Sequence, residues 1–185
     1  TERVFIDPDT VMSAHSLEAA RLAAGGVVDA ARALVRGELD AAFCLPRPPG
    51  HHATPDRAMG FCLINHIPIA AADLLHAGNV ERIAIVDFDV HHGNGTQDIF
   101  IADPRVFYAS THQFPCYPGT GRVDELGLGQ SIHGQSVQPS KSAQPDNGHS
   151  HGPVFLSGHG SRLTWITSNH QPAACHHRQH AGHSP

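Results

Sequence analysis

The sequence predicts an α/β fold built around a parallel sheet, and two observations support this. Two continuously apolar, β-branched runs, RIAIVDF (82–88) and VFYAST (106–111), are typical of strands buried on both faces. Helical segments, expected over 67–77 and near 97–101, alternate with these runs, as in a sheet whose parallel strands are connected by helices. The chain has 185 residues, of which 40% are hydrophobic, and this is enough for one domain with an apolar core.

Residues 16–37 are predicted to form a long helix, because the segment is rich in Ala and repeats apolar residues every three or four positions. Ser16 is its expected N-cap, and Gly37 is its expected end. Two central glycines weaken the helix without ending it. A short apolar run at 41–45 follows and leads into a loop rich in Pro and Gly.

The composition divides the chain into two parts. Residues 1–130 contain the predicted helices and strands, and we interpret them as a partial α/β domain that begins within a longer protein, since Thr1 leads at once into VFI. Residues 131–185 are dominated by Ser, Gln, Pro, Gly and His. This second part is predicted to be a low-complexity tail, disordered or non-native, with one possible strand at 153–158.

Charge and cysteine usage restrict the partners. The formal net charge is -5 and Lys and Arg form no cluster, which argues against direct binding of nucleic acid or an anionic membrane. The four cysteines are widely separated and form no C-x-x-C pair, as expected in the cytoplasm, or in the nucleus of a eukaryote. We therefore expect a small or peptide-like substrate.

Three polar segments follow the predicted strands: RPPGHHA (47–53), DFDVHHGNG (87–95) and STHQF (110–114). In parallel α/β sheets, ligands bind beyond the carboxyl ends of the strands. We therefore expect these three segments to meet at one edge of the sheet and to form a site there.

The second segment has the spacing of a metal site. Asp87, Asp89 and His91 occupy alternate positions, so in an extended backbone their side chains point to the same side. Nitrogen and oxygen ligands without thiolate suit a catalytic Zn²⁺, which normally takes three protein ligands. A lone D-x-H would be explained as well by helix capping and a polar turn. The apolar strand before it and the second His pair in a neighbouring loop favour the metal site.

Two longer stretches, RPPGHHATPDRAMGFCLIN (47–65) and IVDFDVHHGNGTQDIF (85–100), resemble the zinc-dependent histone deacetylase superfamily. This superfamily includes acetylpolyamine amidohydrolases and acetoin-utilisation proteins, and the RPPGHHA spelling and the Asn in HHGNG are most similar to its class II branch. The resemblance implies a three-layer arginase/deacetylase α/β fold with a parallel sheet, incomplete in this chain. It also implies hydrolysis of an N-acetyl amide: an acetylated lysine side chain in histones or other proteins, or an acetylated polyamine or other small amide.

The resemblance implies a role for each matching residue. Asp89 and His91 would bind Zn²⁺. His52 would be the general base and later the general acid, and His51 would contribute electrostatics and orientation. Hydrogen bonds would orient these two imidazoles. The hydrogen-bond partner would be Asp87 for His51 and Asn94 for His52.

The resemblance also implies two accessory sites. The slot for the acyl chain would be lined by Gly60, Phe61 and Tyr117, although burial in the core is the favoured explanation for Phe61 taken alone. A structural monovalent cation, such as K⁺, would be bound by Asp87, Ser110 and Thr111, with backbone carbonyls of Asp89 and His91.

Two of the family's motifs have no counterpart here. The first supplies the third zinc ligand, an Asp from a later strand end, and the second supplies a catalytic Tyr. No Tyr follows Tyr117, and Asp146 is the one carboxylate after residue 130. We hypothesise that a frameshift, alternative splice or assembly error produced the tail.

Three interpretations stay open: an amidohydrolase, an inactive fragment or pseudoenzyme that at most binds metal or a partner, and an arginase-like enzyme. The last is disfavoured because two-manganese sites use D-x-H-x-D, whereas His92 and Gly93 follow His91 here.

Overall fold

A computed structural model describes residues 3–128 and, beyond them, the backbone of three further strands. The elements in chain order are β1 (Val4–Phe5), β2 (Val11–Met12), α1 (Ser16–Val35), β3 (Ala41–Cys44), α2 (His66–His76), β4 (Ile83–Asp87), α3 (Asn94–Phe100), β5 (Val106–Thr111), β6 (Ile132–Gly134), β7 (Val154–Gly158) and β8 (Thr164–Ser168). No helix in the described part of the chain is both long and apolar enough to cross a membrane.

The main sheet has six strands in the order β3-β7-β8-β4-β5-β6. Strands β8, β4, β5 and β6 run parallel, which confirms the predicted parallel sheet, whereas β3 and β7 pair antiparallel at one side. The apolar runs contain no signal for the direction of their neighbours, so the antiparallel side was not predicted. In the register of β4 and β5, Asp87 lies opposite Ser110, so the carboxyl ends of these strands meet at one edge.

Helix α1 buries one face, and its buried residues are spaced by three or four positions: Ala20, Ala24, Val27, Ala31 and Leu34. The predicted N-cap is wrong by one residue. His15 is the N-cap and makes no capping bond with its side chain, while Ser16 Oγ accepts a hydrogen bond from the Ser13 N–H (2.9 Å). Gly37 ends the helix as predicted, with φ of +71° and its N–H donating to Leu34 O.

The other helices match the predicted positions approximately. Helix α2 begins one residue earlier than expected and is closed by Gly78 (φ +69°). Helix α3 begins three residues earlier, at Asn94, because its first turn is stabilised by a neighbouring loop rather than by its own sequence. The N–H groups of Gly95 and Thr96 both donate to His51 O, at 3.0 and 3.2 Å. These bonds hold the start of α3 against RPPGHHA.

The core lies between α1, α2 and the centre of the sheet, and α1 packs on both α2 and β3. Its members are mainly aliphatic: Val27, Ala31, Leu34, Ile67, Ala70, Ala71, Leu74, Leu75, Ile83, Ile85, Phe100, Val106 and Tyr108. Strand β5 has the bounds predicted for it, and β7 confirms the strand expected at 153–158. Strands β6 and β8 were not predicted. The rest of 129–185 lies outside the described residues, so its interpretation as a low-complexity tail stays a prediction.

Candidate active site

The two histidines of RPPGHHA lie side by side at the carboxyl edge of the sheet. His51 and His52 are both buried, and their ring centroids are 4.0 Å apart. The hydrogen bonds from α3 to His51 O fix this loop against the segment that follows β4. The sequence therefore brings RPPGHHA and DFDVHHGNG together, as predicted.

Each of the two imidazoles is held through its Nδ1 atom. His51 Nδ1 is 3.0 Å from Asp87 Oδ2, and His52 Nδ1 is 2.8 Å from Asn94 Oδ1. A carboxylate can only accept, so His51 Nδ1 donates. Asn94 Nδ2 donates to His52 O (3.4 Å), which leaves Asn94 Oδ1 as the acceptor for His52 Nδ1–H. In its neutral form each ring therefore has an unprotonated Nε2, the form in which an imidazole can act as a base.

The predicted zinc ligands are adjacent. Asp89 is buried, and its Oδ1 accepts a hydrogen bond from the His91 N–H (2.7 Å) and lies 3.4 Å from His91 Nδ1. Burial, followed by the nearby charge of His51, lowers the pKa of His91 to about 4, so this imidazole is neutral, as metal binding requires.

The donor set fits Zn²⁺ in chemistry but is incomplete within the described residues. A carboxylate and a neutral imidazole are ordinary zinc ligands, and a catalytic site normally has three. Among residues 3–128, no group of three or more His, Cys, Asp or Glu side chains is placed to hold one ion. Asp89 and His91 can thus provide two protein ligands, and a third has to come from outside this part of the chain.

A pocket of about 140 Å³ opens beside these groups. It is lined by Asp9, Pro49, His51, His52, Gly60, Phe61, Cys62, His91 and Tyr117, and thus contains all three residues predicted for the acyl slot. The Tyr117 ring stands perpendicular to His52 at 5.0 Å between centroids. Phe61 is 43% exposed, so its alternative interpretation as a core residue is wrong.

The Phe61 side of the pocket is held in an unusual backbone conformation. Phe61 has φ of +64°, in the left-handed region that costs a bulky residue about 1 kcal/mol or more. Its N–H donates to Thr10 Oγ1 (3.0 Å), and Thr10 in turn donates to Asp9 Oδ1 (2.8 Å). The sequence analysis did not find Thr10 and Asp9, since they lie in a short hairpin remote from both motifs.

The residues of the predicted cation site lie at the ends of the two central strands. Ser110 is fully buried opposite Asp87, and its hydroxyl is 2.8 Å from His112 Nδ1. Asp87 Oδ1 accepts a hydrogen bond from the Asp89 N–H (3.1 Å). Thr111 is exposed. The cation site itself stays a prediction.

Two further histidines have structural roles that the sequence analysis missed. His92 is buried and lies 2.8 Å from Thr120 Oγ1 and 2.9 Å from Gln97 Oε1. His112 Nε2 lies 2.9 Å from Gly121 O. Both histidines thus hold the loop that contains Tyr117. Nothing in a single sequence distinguishes them from the exposed histidines.

The comparisons with known proteins identify a family for this chain. A family model described as the histone deacetylase domain matches residues 1–152. A probable deacetylase of Archaeoglobus fulgidus is 50% identical over 126 residues, which are 68% of this chain and 35% of that protein. Human histone deacetylase 7 is 48% identical over 130 residues, 68% of this chain and 14% of that protein.

A solved structure gives the same result. The acetylpolyamine aminohydrolase from Burkholderia pseudomallei is 41% identical, with a TM-score of 0.63 over 69% of this chain and 38% of the solved one. The chain thus spans well under two thirds of these relatives, and the fold is the arginase/deacetylase fold that was predicted. On the match over residues 1–152 and these identities, the chain belongs to the histone deacetylase family.

Proposed function

We propose that this site hydrolyses an N-acetyl amide, with His51 and His52 as its tandem catalytic histidines. The observation that carries the proposal is the hydrogen bond at Nδ1 of both rings, to Asp87 for His51 and to Asn94 for His52, with both rings lining one pocket. In this arrangement, His52 Nε2 takes a proton from the attacking water and later gives it to the leaving amine. Acid and base catalysis of this kind is worth about 10²–10⁴-fold in rate.

The two histidines have different partners, and this supports different roles. His51 faces the carboxylate of Asp87, which stabilises a positive charge on its ring, whereas His52 faces the neutral amide of Asn94. The amide orients the His52 ring without adding a charge beside it, which supports the role of His52 in proton transfer to the amine. His51 contributes electrostatics and orientation.

Asp89 and His91 would hold the Zn²⁺ ion of the family. When bound, zinc polarises the acetyl carbonyl and the attacking water. Asp89 and His91 lie next to each other and both are largely buried, as expected of ligands on one ion. We propose Asp87, Ser110 and Thr111 as the monovalent-cation site on the same basis, the meeting of β4 and β5 at Asp87 and Ser110.

The substrate class follows from the shape of the pocket. A volume of about 140 Å³ between Phe61 and Tyr117 accommodates a slender alkyl chain with an acetamide at its end. We propose an acetylated lysine side chain in a protein or an acetylated polyamine as the substrate, which agrees with the names of the relatives.

A zinc titration with a fluorogenic acetyl-lysine substrate tests the proposal. Turnover should rise with zinc and saturate, and His52→Ala should abolish it. His76→Ala is the matched control, since His76 is an exposed histidine on α2 remote from the pocket. Equal turnover in the two variants would contradict the role of His52.

A second candidate is a chain that binds metal or a partner without turnover. The observation that favours it is the set of two ligands, Asp89 and His91, among the described residues. Zinc binding by equilibrium dialysis, lost in His91→Ala, together with no turnover at saturating zinc, would establish this candidate over the first.

A further inference from the structure

A tyrosine in the apolar core lies against the pair formed by His51 and Asp87. Tyr108 is in the middle of β5, 3% exposed, among aliphatic side chains of the core. Its hydroxyl is 3.2 Å from Asp87 Oδ2 and 3.2 Å from Gly93 O. A buried hydroxyl in an apolar core is costly unless it is hydrogen-bonded, so this placement calls for a reason beyond packing.

The Tyr108 hydroxyl shares its acceptor with His51. Asp87 Oδ2 accepts from His51 Nδ1 at 3.0 Å and from Tyr108 at 3.2 Å, while Asp87 Oδ1 accepts from the Asp89 N–H at 3.1 Å. A carboxylate oxygen can only accept, so the Tyr108 hydroxyl is the donor in its contact with Asp87.

The backbone is fitted closely around this junction. A Cβ atom on Gly93 would overlap Asp87 Oδ2, and it would lie 2.7 Å from the Tyr108 hydroxyl and 3.1 Å from His51 Nδ1. Gly93 thus allows the chain to pass directly beside the three groups. With the donors on both of its oxygens, the Asp87 carboxylate has one orientation.

We propose that Tyr108 is a positioning residue that fixes the Asp87 carboxylate and, through it, the ring of His51. Its contribution to turnover rests on the proposed function, whereas its hold on Asp87 does not. A residue that only filled the core would be replaced by Phe without effect on His51. Replacing a positioning residue by Phe would disturb the His51 ring, because Phe lacks the hydroxyl donor.

The test observes the proton on His51 Nδ1 by ¹H NMR in water, assigned by its absence in His51→Asn. Tyr108→Phe should displace this resonance and accelerate exchange of the proton with solvent by about tenfold, equivalent to ~1.4 kcal/mol. The control is Ser13→Ala, which deletes an exposed hydroxyl outside the pocket and should leave the exchange rate unchanged within about twofold. An unchanged resonance and rate in Tyr108→Phe, or an equal change in both variants, overturns the proposal.

A second measurement keeps the Tyr108 hydroxyl, and it therefore tests the proposal even if the Tyr108→Phe chain does not fold. The sequence has two tyrosines, so 3-fluorotyrosine in a Tyr117→Phe chain labels Tyr108 alone. Fluorination makes the phenol a stronger donor and should displace the His51 Nδ1–H resonance, and a resonance that does not move overturns the proposal. Neither measurement needs zinc or turnover, so both remain decisive where the proposed hydrolysis fails. In a chain that turns over, Tyr108→Phe should lower kcat about 10–100-fold with KM unchanged.

Discussion

His66 makes the stability of this chain sensitive to acid. The residue opens α2, is 2% exposed, and has a buried Nε2 with no hydrogen-bond partner among the described residues. Burial lowers the pKa of His66 from 6.5 to about 4, although a hydrogen bond to the backbone of Pro48 acts in the opposite direction. Between these two values the unfolded chain binds a proton that the folded chain does not. The stabilisation is therefore complete above pH 6.5 and is lost as the pH falls towards 4.

The size of the effect follows from the difference in pKa. A shift of about 2.5 units at 1.36 kcal/mol per unit corresponds to roughly 3 kcal/mol. This is a large part of the ~5–15 kcal/mol that stabilises an ordinary domain. The free energy of unfolding, measured by urea denaturation at pH 7, 6, 5 and 4, should fall by about 3 kcal/mol more in the native chain than in His66→Asn.

The comparison with His66→Asn removes the contributions of other titrating groups, which are common to both chains. His76→Asn, at the exposed end of the same helix, should follow the native chain at every pH. Loss of stability in parallel for the native chain and His66→Asn, within about 0.5 kcal/mol, would refute the assignment of this acid sensitivity to His66.

Two further predictions concern the site and its support. Asn94→Asp places a carboxylate 2.8 Å from His52 Nδ1 and should raise the pKa of His52 by about one unit or more, measured by NMR titration; a pKa that stays the same contradicts the proposed effect of Asn94. Gly95→Ala puts a Cβ into the Ala53 carbonyl and should destabilise the fold by about 1–3 kcal/mol, measured by urea denaturation. Gly25→Ala, at a position of α1 where an added Cβ meets no atom within 4 Å, should instead stabilise the fold by about 0.5–1 kcal/mol. A Gly95→Ala chain as stable as the native chain would contradict the dependence of α3 on close contact with RPPGHHA.

The sequence alone determined the elements that depend on local patterns. Apolar runs and three- to four-residue spacing locate β4, β5, α1 and α2 within a residue or two, because buried faces have to be apolar wherever they pack. The two motifs likewise contain the groups that meet at the sheet edge, since strand ends bring together loops that are distant in sequence. The pairs His51 with Asp87 and His52 with Asn94 are those that the resemblance to the histone deacetylase superfamily implied.

Tertiary structure alone decided the contacts that join segments without a shared pattern. The antiparallel side of the sheet, the placement of Asp9 beside the pocket, and the hold of His92 and His112 on the Tyr117 loop depend on which surfaces meet. Tyr108 shows the reason most clearly. In sequence it is one more apolar position of a buried strand, and only packing against β4 brings its hydroxyl to the carboxylate that orients His51.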